Sequence, residues 1–168
     1  AGETEVLARS VPDNGGVVIV PALSGLGAPH WQPDARAAIT GLTFATSRAH
    51  LARAALEAMA MQTRDLAEAF AADGARWTHL RIDGGMSAND WMAQDIADVL
   101  GIPVERPGFV ETTALGAAML AASGAGLFAN LEAAAAAMAG ERSGFTPGMA
   151  VEERERRIAA WNKALCAV

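Results

Sequence analysis

The sequence predicts an α/β fold with few strands, parallel and joined by crossover helices. Three observations carry this reading. Short β-branched runs bounded by Gly and Pro alternate with longer segments of helical periodicity. That alternation calls for crossover connections, and hence parallel strands. Only three or four strand segments can be found in 168 residues, few for a free-standing doubly wound sheet.

In chain order, GGVVIVPA (residues 15–22) reads as a buried strand between Gly and Pro. LSGLGAPHWQPDARA (residues 23–37) is a long loop, because Gly25, Gly27, Pro29 and Pro33 block regular structure. AAITGLTF (residues 37–44) reads as a second strand. Residues 47–72 form the strongest helix, capped by Thr46 or Ser47. Arg53, Glu57, Arg64 and Glu68 share one charged stripe, while Leu56, Met59, Leu66 and Phe70 line another face. Residues 54–61 are apolar almost all round, which predicts cover on two sides.

The segment HLRIDGGMSANDW (residues 79–91) reads as a strand over 80–83, a Gly-Gly corner, and a helix over 88–100 capped by Ser87 and stopped by Gly101. IPVERP is a short strand. Thr112 or Thr113 caps ALGAAMLAASGAG, and Asn130 caps LEAAAAAMA, helical on alanine propensity. ERSGFTPG is a connector with room for a strand. A last helix covers residues 152–167, with Val151, Ile158, Trp161 and Leu165 on its buried side and EERERR as a solvated face.

Composition excludes several classes. Hydrophobic residues make up 52% and charged residues 19%, so the chain is globular. A net charge of -6 argues against a nucleic-acid partner, which needs clustered Lys and Arg. No apolar run reaches about 20 residues, so no membrane span is expected. The single Cys166 allows no disulfide framework, which fits a reducing cytoplasm.

Chemistry points to the corner Asp83-Gly84-Gly85. In α/β sheets, ligands sit past the carboxyl ends of strands, at helix N-termini. Two glycines remove the Cβ atoms that would hold a ligand off the backbone. The following helix start offers N–H groups and partial positive charge. Asn89 can both donate and accept hydrogen bonds, as an adenine edge requires. Asp83 is suited to bind a hydroxyl or to brace the loop. Against this stands a tight turn with no ligand, since the corner matches neither G-x-G-x-x-G nor a P-loop. In TTALGAAMLAASGAG, small residues predict a helix pressed close to its neighbours, again with a plain core helix as the alternative.

Other residues carry less. His30, His50 and His79 are scattered, with no ligand spacing for a metal. Ser24 in SGLG is not a G-x-S-x-G elbow. Trp31, Trp77, Trp91 and Trp161 read as packing residues, with Trp91 weighed as a wall for an adenine ring.

Four segments in order resemble the FGGY family of carbohydrate kinases, C-terminal domain, in its glycerol-phosphorylating branch. They are VPALSGLGAPHWQPDARAAITGLT, RAALEAMAMQTRDL, LRIDGGMSANDWMAQDIADVLGIPVERP and ETTALGAAMLA. His30, Gln32 and Ala37 depart from the branch's usual Tyr, Asp and Gly. The resemblance implies a partial RNase H-like (actin-like ATPase) domain. It implies ATP with Mg2+ as phosphoryl donor and glycerol as acceptor. It places Gly85 and Asn89 against the adenine nucleoside, with Gly84 shaping the loop and Asp83 beside it.

It also implies that residues 1–168 are most of the C-terminal domain. The catalytic Asp, the polyol-binding residues, the phosphate loops and the first strands of this domain then lie upstream. Alone, such a chain is expected to be inactive. Missing neighbours would leave an edge or an apolar face exposed, favouring a homo-oligomer. The alternatives are the same region of another sugar kinase of the family, such as a xylulokinase, or a non-catalytic α/β interaction module.

Overall fold

The computed structural model describes residues 2–168. Six helices and five short strands follow in order: α1 (Thr4–Arg9), β1 (Val18–Val20), β2 (Ala38–Thr40), α2 (Arg48–Ala72), β3 (Leu80–Arg81), α3 (Asp90–Leu100), β4 (Val104–Pro107), α4 (Thr112–Gly124), α5 (Leu131–Met138), β5 (Arg142–Phe145) and α6 (Val151–Leu165). A 3-10 turn (Gly85–Ala88) leads into α3.

The α/β class stands, but parallel pairing is confined to β3 and β4. These two strands are joined through α3, the expected crossover. β1 pairs antiparallel with β2, and β4 antiparallel with β5, giving sheets ordered β1-β2 and β3-β4-β5. The antiparallel pairs arise where the linking segment turns back without a full crossover. The ERSGFTPG connector supplies one of these strands. α1 carries no strong periodicity in six residues, and the sequence predicts no element there.

The core lies among α2, α3, α6 and the inner strands. It gathers Val20, Leu56, Ala60, Met61, Met92, Ile96, Val99, Val104 and Trp161. α2 is covered by α1 and by α3, as its apolar girth predicts. α3 ends at Gly101 in the left-handed region, with its N–H on the Ala97 carbonyl at 2.8 Å. Asn130 caps α5 as expected, accepting the Ala133 N–H at 2.8 Å.

Buried charge ties these helices together, and here the periodicity reading needs correction. Arg157 does not lie on the solvated face of α6. It is buried and grips Asp95 of α3 with two bonds of 2.6 and 2.8 Å. It also lies 3.8 Å from Glu57 of α2. Glu57 is likewise inward, held by Asn14 at 2.6 Å and Arg53 at 3.1 Å. Arg53 reaches on to the Ala8 and Val11 carbonyls at 3.3 and 2.7 Å. Burial raises the carboxyls of Glu57 and Asp95 above their ordinary values, against the opposing pull of Arg157. Arg156 stays outside and pairs with Glu153, three residues back.

A second node is Asp65. Its Oδ2 accepts the Trp161 indole N–H at 2.8 Å and lies 2.9 Å from His30 Nε2. The departure to His at position 30 therefore has a partner, and it fastens the long loop to α2 and α6.

Not every helix is covered. α4 has no buried residue, and its contacts run to α5. The small-residue run does not press into a core among the described residues. Leu120, Leu127 and Leu131 stand exposed.

Removing Arg157 strands the buried Asp95 carboxylate and takes one of two cations from Glu57. Arg157→Met should lower unfolding free energy by about 3–5 kcal/mol, whereas Arg156→Ala should change it by less than about 0.5 kcal/mol. Urea denaturation of the two variants checks this.

Candidate functional site

The corner between β3 and α3 is built by pairing on both sides. The Leu80 N–H donates to the Pro103 carbonyl at 3.0 Å and the Ile82 N–H to the Glu105 carbonyl at 2.9 Å, so β3 runs alongside β4 up to the turn. The Gly84 N–H then donates to the Val110 carbonyl at 2.9 Å. That bond brings the segment ahead of α4 against the corner. The two segments singled out in the sequence are thus neighbours in space.

Asp83 braces the loop. The Thr112 hydroxyl, in the first turn of α4, donates to the Asp83 carboxylate. This corrects the expected cap: Glu111 holds the N-cap position with no side-chain bond, because Thr112 has turned to Asp83. Ser87 is also not the cap of α3. It is buried within the 3-10 turn, and its hydroxyl donates to the Gly84 carbonyl at 2.7 Å. Asn89 takes the cap, its Oδ1 accepting the Met92 N–H at 2.9 Å. The acceptor half of Asn89 is therefore engaged in holding the helix start. Its Nδ2 donors are the part suited to a ligand.

The two glycines have different reasons. Gly84 has φ +85°, a conformation that side-chain-bearing residues rarely adopt. The fold itself demands glycine there. Gly85 has no such φ, and a Cβ built on it meets nothing within 4 Å. Neither backbone strain nor a neighbouring atom explains its missing side chain. Gly85 and Met86 are exposed, and Asn89 is half-buried beside them.

A cavity of about 300 Å³ opens on the Asp83 side of the corner, lined by Arg81, Ile82, Asp83, Glu105, Pro107, Thr112 and Arg142. Its volume is at the low end for small-molecule sites. Gly84, Gly85 and Asn89 lie outside that lining, and a Cβ built on either glycine meets open space. The Trp91 ring carries the Arg53 guanidinium at 5.0 Å and packs against the core. Among the described residues no group of three His, Cys, Asp or Glu gathers to hold a metal.

Comparison with known proteins converges on one family. A family model for the FGGY family of carbohydrate kinases, C-terminal domain, matches residues 2–125. A glycerol kinase of Rhodospirillum rubrum is 54% identical over 166 residues, 98% of this chain and 33% of that protein. One from Alcanivorax borkumensis is 53% identical over 169 residues, 100% of this chain and 34% of that protein. The chain thus spans about a third of the length of these relatives. Among solved structures, glycerol kinase of Plasmodium falciparum with ADP superposes with a TM-score of 0.82 at 34% identity, over 98% of this chain and 33% of that one. Xylulose kinase of Rhodospirillum rubrum gives 0.77 at 28% identity, over 99% and 33%. The actin-like ATPase fold expected from the resemblance holds.

The unequal glycines make a test. Gly84→Ala should destabilise by about 1–3 kcal/mol, read by chemical denaturation. Gly85→Ala should leave stability within about 0.5 kcal/mol, since its Cβ enters open space.

Proposed function

The chain belongs to the FGGY family of carbohydrate kinases, and from that premise we propose that it is the nucleotide-binding, C-terminal part of a glycerol kinase. Two relatives named glycerol kinase are 53–54% identical over 98% or more of the chain, and among the solved structures the glycerol kinase is 34% identical and the xylulose kinase 28%. The observation that carries the site is Gly85, a bare backbone position that the fold does not require.

In this reading the adenosine of ATP lies across Gly85, and the Asn89 Nδ2 group donates to a ring acceptor. Gly84 gives the corner its shape, and Asp83 holds it closed against Thr112. The reaction is phosphoryl transfer from ATP to a glycerol hydroxyl, giving glycerol 3-phosphate. Such transfer depends on positioning and on neutralising charge. Mg2+ belongs to that chemistry as the companion of the triphosphate, and no residue of this chain is assigned to it.

The site is open surface in this chain, so a second wall is needed to exclude water. The relatives carry about twice as much further chain, and that chain is the natural source of the wall, the polyol site and the catalytic base. Residues 1–168 then act as most of one domain, unable to turn over alone. No helix among the described residues is long and apolar enough to cross a membrane. A cytoplasmic, self-associating enzyme is part of the same proposal, its self-association supported by the exposed Leu120 of α4 and Leu131 of α5.

The test is ATP-dependent phosphorylation by the complete gene product, with glycerol beside xylulose, gluconate and erythritol. Turnover should favour glycerol strongly, and Asn89→Ala should weaken nucleotide affinity by about 1 kcal/mol or more for the lost hydrogen bond. Preference for another polyol would overturn the glycerol assignment. An Asn89→Ala enzyme with unchanged nucleotide affinity would overturn the site.

A further inference from the structure

The strand VERP carries, one residue before its end, an arginine that the reading above leaves without a role. Arg106 stands on β4, yet its side chain leaves the sheet and reaches under the corner. Its Nη1 donates to the Ser87 carbonyl at 2.7 Å and pairs with Asp90 Oδ1 at 2.8 Å. The guanidinium lies over the Phe145 ring, 5.4 Å from its centre, and the side chain is only 14% exposed.

These two acceptors flank Asn89. Ser87 precedes it by two residues and Asp90 follows it directly. One guanidinium therefore holds the backbone carbonyl of Ser87 on one side, and the side-chain carboxylate of Asp90 on the other side, of the residue proposed to meet the nucleoside. Asn89 has φ -81° and ψ 108°, the extended step between the 3-10 turn and α3. The Asn89 N–H donates to the Met86 carbonyl at 3.1 Å and its carbonyl accepts the Ala93 N–H at 3.1 Å, so the step is tied to the turn before it and the helix after it, and Arg106 grips those same two pieces from outside. Ser87 is 2% exposed; without Arg106 its carbonyl loses that donor in a place poor in water, and the turn must move to satisfy it. Glu5 of α1 adds a lighter hold, its Oε2 accepting the Asp90 N–H at 3.2 Å.

We infer that Arg106 is a positioning residue for nucleotide binding: it sets the angle at which Asn89 and the bare backbone of Gly85 face the nucleoside. This inference rests on the nucleotide site proposed above. Lysine is not its equivalent. The flat guanidinium lies over the Phe145 ring while the two N–H bonds of Nη1 serve two acceptors; an ammonium can donate to two acceptors but offers no flat face to the ring. Asp90 at the first position of α3 would also repel a phosphate, and Arg106 neutralises it.

The experiment is a double-mutant cycle in the complete gene product, reading the Kd for ADP by calorimetry together with KM for glycerol and Tm. Wild type, Asn89→Ala, Arg106→Met, Arg106→Lys and Asn89→Ala/Arg106→Met are compared. Arg106→Met should raise the Kd for ADP about tenfold, with KM for glycerol within about twofold. Arg106→Lys should recover little of this. In the double variant the two losses should fail to add, because Arg106 acts through Asn89. A merely structural arginine would instead lower Tm, shift both substrates alike and give additive losses, and that pattern would overturn the inference. So would an Arg106→Lys protein that folds with wild-type Tm and binds ADP as the wild type does. If Asn89→Ala alone leaves ADP binding unchanged, the nucleotide site itself is misplaced, and this inference falls with it.

Discussion

Three helices meet at one guanidinium. Arg157 of α6 holds Asp95 of α3 with two short bonds and sits beside Glu57 of α2, out of reach of solvent. Burying these charges is costly, and the cost is offset only while every partner stays in place. The cluster therefore acts as a geometric constraint more than as a source of stability. It fixes the rotation of α6 about its axis and the spacing of α3 from α2. Asp65 repeats the device nearby, fastening Trp161 and the His30 loop to α2.

That constraint reaches the proposed site through α3. The far half of the helix is set by Asp95, and by Asp98, whose Oδ1 accepts the Gly148 N–H at 2.6 Å. Its near end is set by the Asn89 cap and by Arg106. A helix held at both ends presents its first turn in one place. The corner needs this, because a nucleotide laid on bare backbone gains binding only from groups already aimed at it. Asp83, Thr112 and the Gly84–Val110 bond close the other side.

Much of this was legible in the sequence. Long periodicity gave α2, Gly101 gave the end of α3, and DGG with Asn89 gave the corner. What was missed depended on tertiary facts. EERERR reads as a solvated run, yet Arg157 shares a stripe with Trp161 and Ala164 at spacings of four and seven. That stripe was the available signal. Glu57 hides in the same way beside Ala54 and Met61. Ser87 is a good cap by residue type, but a 3-10 turn delays the helix by two residues and the cap passes to Asn89. Thr112 looked like a cap and went to Asp83 across a sequence distance that no local rule covers. The antiparallel returns of β2 and β5 follow from how connectors fold back, which hydrophobic period alone does not encode.

The account stands on one claim, that the corner from Gly84 to Asn89 is a nucleotide surface. Amide hydrogen exchange on the complete gene product, with and without saturating ADP, tests it most directly. The account predicts slowed exchange over residues 84–92 and at residues 110–115, with the rest of this chain little changed. Slowed exchange confined to another place, such as the groove of about 400 Å³ between Arg9 and Met149, with none at the corner, would contradict it.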